Sequence, residues 1–175
     1  MKVALYGFMG AGKTSLGSKL ARRLGYEFID LDQEIEKETG TTINEYFEKH
    51  GETDFRKVEH KVLKNIIKKD RENIILSLGG GTILQPSNRK ILELMNYKNL
   101  YLDVALPVLI QRLKKQKSSR PLIKNIPDKE FPLFIEALLI SRKPIYETAA
   151  DIHIKIDEEA MEQTLEKVFL LLQLN

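Results

Sequence analysis

Residues 7–15 read GFMGAGKTS, with Gly7, Gly12, Lys13 and Thr14 at the spacing G-x-x-x-x-G-K-[ST]. No other feature of the chain constrains the fold as much, because such a loop works between the end of a buried strand and the start of a helix. Glycines allow backbone angles that let successive N–H groups curl around a phosphate, and the helix N-terminus behind them adds partial positive charge. The flanks agree. Val3–Tyr6 is a short apolar run, and Lys13–Leu24 carries Leu16, Leu20 and Leu24 at helical spacing until Gly25 stops it. Four fixed positions would coincide by chance in a chain of this length roughly one time in a hundred. In such a loop Lys13 reaches the β and γ phosphates of a nucleotide and Thr14 binds Mg²⁺.

Beyond the loop, strand and helix patterns alternate. Strands are predicted at Glu27–Ile29, Asn73–Leu78, Asn99–Asp103 and Ile152–Ile156. Helices are predicted at Gln33–Glu38, from a Thr42–Glu45 capping box to near Gly51, at Phe55–Lys69, Ser87–Met95 and Pro107–Lys115, and at Phe131–Tyr146, ending around Pro144. Met161, Leu165, Val168 and Leu172 mark a closing helix. Residues 116–129 are polar, basic and interrupted by Pro121 and Pro127, which reads as a mobile loop. Without repeats or linkers, the 175 residues predict one α/β domain whose parallel sheet is covered on both faces. Ligands of such sheets bind at the carboxyl ends of the strands. That rule gathers the glycine loop, Asp30 and Asp32, Gly79–Gly81, and Asp103.

Composition removes other classes. With no cysteine and three scattered histidines, neither disulfides nor a structural zinc site is expected. A net charge of +3 is too small to argue for nucleic acid. Lys57, Lys61, Lys64 and Lys68 share one helical face, which reads as the solvated side of an amphipathic helix. No apolar run approaches the ~18 residues of a membrane span, and the N-terminus carries no signal peptide. A cytoplasmic protein with no membrane or nucleic-acid partner is the expectation.

The residues after the strands suggest a second substrate. A loop of this kind needs a further carboxylate near the Mg²⁺, and Asp30 is preferred to Asp103 because Asp32 follows it. Asp32 would then face an acceptor hydroxyl, or instead cap the helix from Gln33. Gly79, Gly80 and Gly81 either admit a ligand close to the backbone or simply turn the chain. Arg56, with Glu59 three residues on, is either a fork for a carboxylate or a surface ion pair. Arg120, before Pro121, is either a loop charge or a group that closes over the γ-phosphate. Arg142, near Pro144, either satisfies the last helical carbonyls or forms a second carboxylate clamp.

Together, GFMGAGKTS, FIDLDQEIE, GETDFRKVE, LSLGGGT, RPL at 120–122 and SRKPIYETAAD at 141–151 resemble shikimate kinases. The resemblance runs through nearly the whole chain, in order and at matching intervals. It implies a three-layer α/β/α P-loop kinase fold of the nucleoside-monophosphate-kinase group. The five-stranded parallel sheet would have the order 2-3-1-4-5, with a short lid near 116–129 and a substrate-binding helical segment near 31–60. The implied reaction is ATP-dependent phosphorylation of the 3-hydroxyl of shikimate, on the route to chorismate and aromatic amino acids, by a monomer. By the same resemblance Gly10, Ala11, Gly12, Lys13, Thr14 and Ser15 hold ATP phosphates, Thr14 and Asp30 serve Mg²⁺, and Asp32 takes the reacting hydroxyl. Arg56, Gly80 and Arg142, with Gly79 and Gly81 beside them, grip shikimate. Arg120 is the lid arginine and Arg112 lies along the adenine. Lys13, Asp32 and Arg120 are then the catalytic set. The rival readings are a kinase for gluconate or a nucleoside monophosphate, a nucleotide switch with no acceptor, and, last, a nucleic-acid binder on the lysine face.

Overall fold

The computed structural model describes residues 1–157 and 160–173. Its centre is a parallel sheet of five strands: β1 (Lys2–Gly7), β2 (Glu27–Asp30), β3 (Ile74–Ser77), β4 (Tyr97–Val104) and β5 (Ile152–Ile156), in the order β2-β3-β1-β4-β5. Successive strand residues point to opposite faces. In β3 all four residues are buried, and in β1 five of six, so helices cover both faces of the middle of the sheet. The edge strand β5 alternates buried and exposed, consistent with a one-sided position. The helices are α1 (Lys13–Leu24), α2 (Leu31–Thr39), α3 (Ile43–Ile67), α4 (Pro86–Leu94), α5 (Leu106–Lys115), α6 (Phe131–Thr148) and α7 (Met161–Gln173). The strand order reverses at β1, with β2 and β3 on one side and β4 and β5 on the other, and the crevice for a ligand opens at that switch point.

Register places the site. Leu5 pairs with Ser77, and Ser77 with Asp30, so β1, β3 and β2 end side by side. The phosphate loop, Asp30 and the glycines after β3 are therefore carried to one rim of the sheet. Beneath that rim Tyr6 and Tyr101 stack with centroids 5.6 Å apart, and Tyr146 from α6 closes the cluster. Tyr6 donates to the Tyr146 carbonyl at 2.8 Å, and Tyr146 donates to the Gly80 carbonyl at 2.5 Å. These bonds satisfy two buried hydroxyls and tie α6 to the glycine turn.

Several boundaries differ from the sequence reading. The helix expected from Gln33 begins at Leu31, and its N-cap is Asp30, whose side chain accepts from the Asp32 and Gln33 N–H groups. Asp32 is therefore not the cap, and its side chain is left for the pocket. The two helices expected around Gly51 are present and meet at a non-helical kink at Gly51 (φ 76°, ψ 174°), so they are numbered together as α3; the Thr42–Glu45 capping box starts the first, and the second begins nearer Gly51 than the expected Phe55. Pro144 does not end α6, which continues to Thr148. Proline removes the bond to the carbonyl four residues earlier. That residue, Ile140, is 64% exposed, so the proline's turn lies on the solvent side of α6. Residues 116–129 contain a 3₁₀ turn at Lys117–Ser119 and bury Ile123 completely. The Asn44 amide donates to the Ser119 carbonyl at 3.0 Å, and Lys124 pairs with Glu48, joining this segment to the start of α3. Among the described residues, no helix is long and apolar enough to cross a membrane.

Candidate active site

The loop after β1 is built to receive an anion. Gly12 caps α1 in the left-handed region (φ 85°), which a side chain would disfavour. No side chain caps the helix and no acidic residue lies in its first turn, so the leading N–H groups and the positive end of the helix face outward unneutralised. The Lys13 ammonium folds back to donate to the Gly7 and Phe8 carbonyls at 3.1 and 3.0 Å. Burial, only partly offset by Asp32, pushes its pKa down to about 8. A phosphate in the loop would supply the charge that this cation lacks. Ala11 is buried, Ser15 is exposed, and Arg112 reaches over from α5 to donate to the Gly10 carbonyl at 3.3 Å.

Asp30 works at two places. One carboxylate oxygen caps α2, and the other accepts from the Thr14 hydroxyl at 2.6 Å. The competing carboxylate, Asp103, is engaged elsewhere, with Lys143 at 3.1 Å, His153 at 3.0 Å and the Tyr101 hydroxyl at 3.1 Å. Burial works against its charge, but Lys143 and His153 hold its carboxyl below the usual range. A hydroxyl beside a carboxylate at a phosphate loop is a hard-oxygen donor pair. It suits Mg²⁺, which takes few protein ligands and fills its octahedron with water and phosphate oxygens. Among the described residues there is no group of three or more His, Cys, Asp or Glu side chains able to hold a metal alone.

Next to the loop lies a cavity of about 470 Å³ whose wall includes Asp32, Arg56, Glu59, Gly79–Gly81, Arg120 and Arg142. All the acceptor-side residues singled out in the sequence are thus brought together. The cationic members are not equivalent. Arg56 is paired with Glu59 through two bonds of 3.1 and 3.0 Å and with Glu52 at 3.0 Å. Glu59 itself is 1% exposed. Arg142 is 9% exposed, sits over the Phe8 ring at 5.7 Å, and makes no ion pair among the described residues. A buried cation without a counter-ion is unfavourable unless an anion completes it. Arg120 is held by the Gln116 side chain at 2.8 Å, and burial lowers its pKa, only partly countered by Asp32.

Asp32 is the anionic member beside the phosphate loop and Asp30. Burial first, and then the charge of Asp30, pushes its pKa up to about 6. A carboxylate so disfavoured is a stronger base than an ordinary aspartate, suited to accepting a proton from a hydroxyl. The glycines are explained by closeness rather than by unusual backbone angles. A Cβ on Gly79 would lie 3.0 Å from Asp32 Oδ1 and 3.2 Å from Glu59 Oε1. A Cβ on Gly81 would fall 2.6 Å from Arg56 Cζ.

Sequence reading alone did not identify the rest of the wall: Phe47 and Phe55, whose rings stand 4.4 Å apart, together with Gln33, Glu36 and Asn44. The capping box at Thr42 located the turn carrying Asn44, but no local pattern showed which way that turn faces.

Comparisons with known proteins point to one family. Residues 9–173 match the family model described as shikimate kinase. A shikimate kinase of Flavobacterium psychrophilum is 36% identical over 171 residues, covering 98% of each chain. The structure of shikimate kinase from Acinetobacter baumannii in complex with shikimate superposes with a TM-score of 0.90 at 36% identity, over 99% of this chain and 93% of that one. A deoxyadenosine kinase from M. mycoides with bound dCTP, at TM-score 0.60 and 22% identity over the whole of both chains, shares the fold.

Proposed function

The chain belongs to the shikimate kinase family and is an enzyme that phosphorylates shikimate with ATP in aromatic biosynthesis, and from that premise we propose how its own residues divide the work. The observation that carries the assignment is Arg142, a buried guanidinium with no counter-ion among the described residues, in a pocket that also presents Arg56 and Asp32. A hydroxylated cyclic carboxylic acid meets both needs. Its carboxylate completes the Arg142 charge alongside Arg56, and a ring hydroxyl faces Asp32.

In this reading residues 10–15 and the start of α1 hold the ATP phosphates, and Arg112 borders the adenine. Thr14 and Asp30 hold Mg²⁺, which would neutralise phosphate charge and orient the transferred group. The hydroxyl oxygen forms the new bond to the γ-phosphorus, the bond to the bridging oxygen of ADP breaks, and Asp32 accepts the hydroxyl proton. Phosphoryl transfer passes through a loose transition state, so rate comes mostly from alignment and charge stabilisation. Lys13, drawn from the Gly7 and Phe8 carbonyls to the phosphates, and Arg120 provide that stabilisation. Residues 116–129 act as the lid, and its ties to Asn44 and Glu48 bring it over the substrate segment 31–60 and exclude water. The chain acts as a single monomeric domain of the cytoplasm. The test is ADP release measured with and without shikimate, and with gluconate and nucleoside monophosphates as alternative acceptors. Strong stimulation by shikimate alone is expected, and equal release without an acceptor would overturn the proposal.

A further inference from the structure

Behind the acceptor pocket, hydrogen bonds run in a closed ring between α3, the glycine turn and α4. Glu59 holds Arg56 with two bonds and accepts the Thr82 hydroxyl at 2.7 Å. The Thr82 carbonyl accepts from the Asn88 amide at 2.9 Å. That bond fixes which way the amide faces, so Asn88 Oδ1 is the atom that meets His60 Nδ1 at 2.6 Å, and His60 is the donor. His60 follows Glu59 on α3, one turn beyond Arg56, and the ring closes there. Asn88 and Thr82 are both 0% exposed. The neighbouring Arg89 donates to the Ile83 and Leu84 carbonyls at 2.8 and 2.9 Å, so two adjacent side chains of α4 hold three successive carbonyls of the turn.

Gly81 lies directly against the Arg56 guanidinium, and a Cβ there would fall 2.6 Å from Arg56 Cζ and push that group aside. The turn and the guanidinium are thus in direct contact, and Asn88 holds the carbonyl at the end of that turn. We infer that Asn88, braced by His60, is a positioning residue for acceptor recognition: through the Gly79–Thr82 turn and Glu59 it fixes the Arg56 fork that receives the substrate carboxylate. Asn88 does not line the pocket. Its effect on the substrate must pass through Arg56, and this inference rests on the reading of Arg56 as a carboxylate grip.

The experiment is a double-mutant cycle read by titration calorimetry, with shikimate and, separately, MgATP as titrant. Asn88→Leu keeps the branched outline of the side chain at a larger volume and removes both bonds. His60→Ala opens the ring from its more exposed side and carries the test should Asn88→Leu fail to fold. Each variant is made alone and together with Arg56→Ala. Alone, each is expected to weaken shikimate binding about tenfold and MgATP binding less than about twofold. In the Arg56→Ala background the effect on shikimate should shrink below about threefold, because the group being positioned is gone. A merely structural role would weaken both ligands together, or would persist undiminished without Arg56, and either result overturns the inference. So would unchanged shikimate affinity in folded His60→Ala. If Arg56→Ala alone leaves shikimate affinity intact, the reading of Arg56 falls instead.

Discussion

Replacing Asp32 by Asn should stabilise the protein while disabling it. The carboxyl is raised from 3.8 to about 6 by burial and by the neighbouring Asp30 charge. Because the folded pKa lies above the unfolded one, ionising Asp32 is easier in the unfolded chain. Its contribution to stability is intact below about pH 4 and is lost as pH rises through about 6. Two pKa units correspond to about 3 kcal/mol, which is a ceiling. Asp32 keeps partial contact with solvent, so about 1–2 kcal/mol is the expected size. Asn has nearly the same shape and cannot ionise, so the penalty disappears. For a chain of this size that raises the melting temperature by about 2–6 °C. Thermal unfolding followed by circular dichroism at pH 7.5 and pH 4 tests this, since the difference between wild type and Asp32→Asn should be present at the first and vanish at the second. Turnover should fall about 10²–10⁴-fold if Asp32 is the base. A variant equally or less stable at pH 7.5, or a difference that does not change with pH, would refute the claim that Asp32 is held ionised against its surroundings.

Three further expectations follow from the same geometry. Arg142→Ala removes the unpaired buried cation, so shikimate affinity should drop about 10²-fold or more, with little change for MgATP in parallel titrations. The kcat/KM for shikimate should decline below about pH 6 as Asp32 is protonated, and that for ATP should decline above about pH 8 as Lys13 loses its proton. A flat profile in steady-state assays across pH 5–9 would remove both groups from free-enzyme control of the rate. Asp30→Asn keeps a good N-cap for α2 but weakens a hard cation site. The melting temperature should therefore move little while the Mg²⁺ concentration for half-maximal turnover rises about tenfold.

The fold was legible because its determinants are local. The glycine loop announced a strand before it and a helix after it, and the alternation of short apolar runs with helical stretches left little besides a covered parallel sheet. Helix ends were less legible. Asp30 and Asp32 are both plausible caps on paper, and only the backbone trajectory out of β2 decided that Asp30 caps while Asp32 faces the pocket. Pro144 suggests a helix ending close by, but α6 carries the proline inside it and runs on to Thr148. Gly51 does separate two helices, with left-handed φ at the kink where they meet.

For the site, the chain itself supplied the chemistry: Lys13 and Thr14 for phosphate, paired aspartates, and arginines in the segments that resemble the family. Local sequence encodes residue type and spacing, so it could name these candidates and leave each with a bland alternative. Tertiary structure decided between the alternatives, because the decisive facts are contacts between residues far apart in the chain. Thr14 touches Asp30 and not Asp103. Arg56 is neutralised by its neighbours, whereas Arg142, from a helix more than a hundred residues beyond the loop, arrives buried with no counter-ion. The ring through Thr82, Asn88 and His60 joins three elements and left no local pattern to read. Charge balance in a pocket depends on which groups the fold brings within a few ångströms, and that is settled only when the strands end side by side.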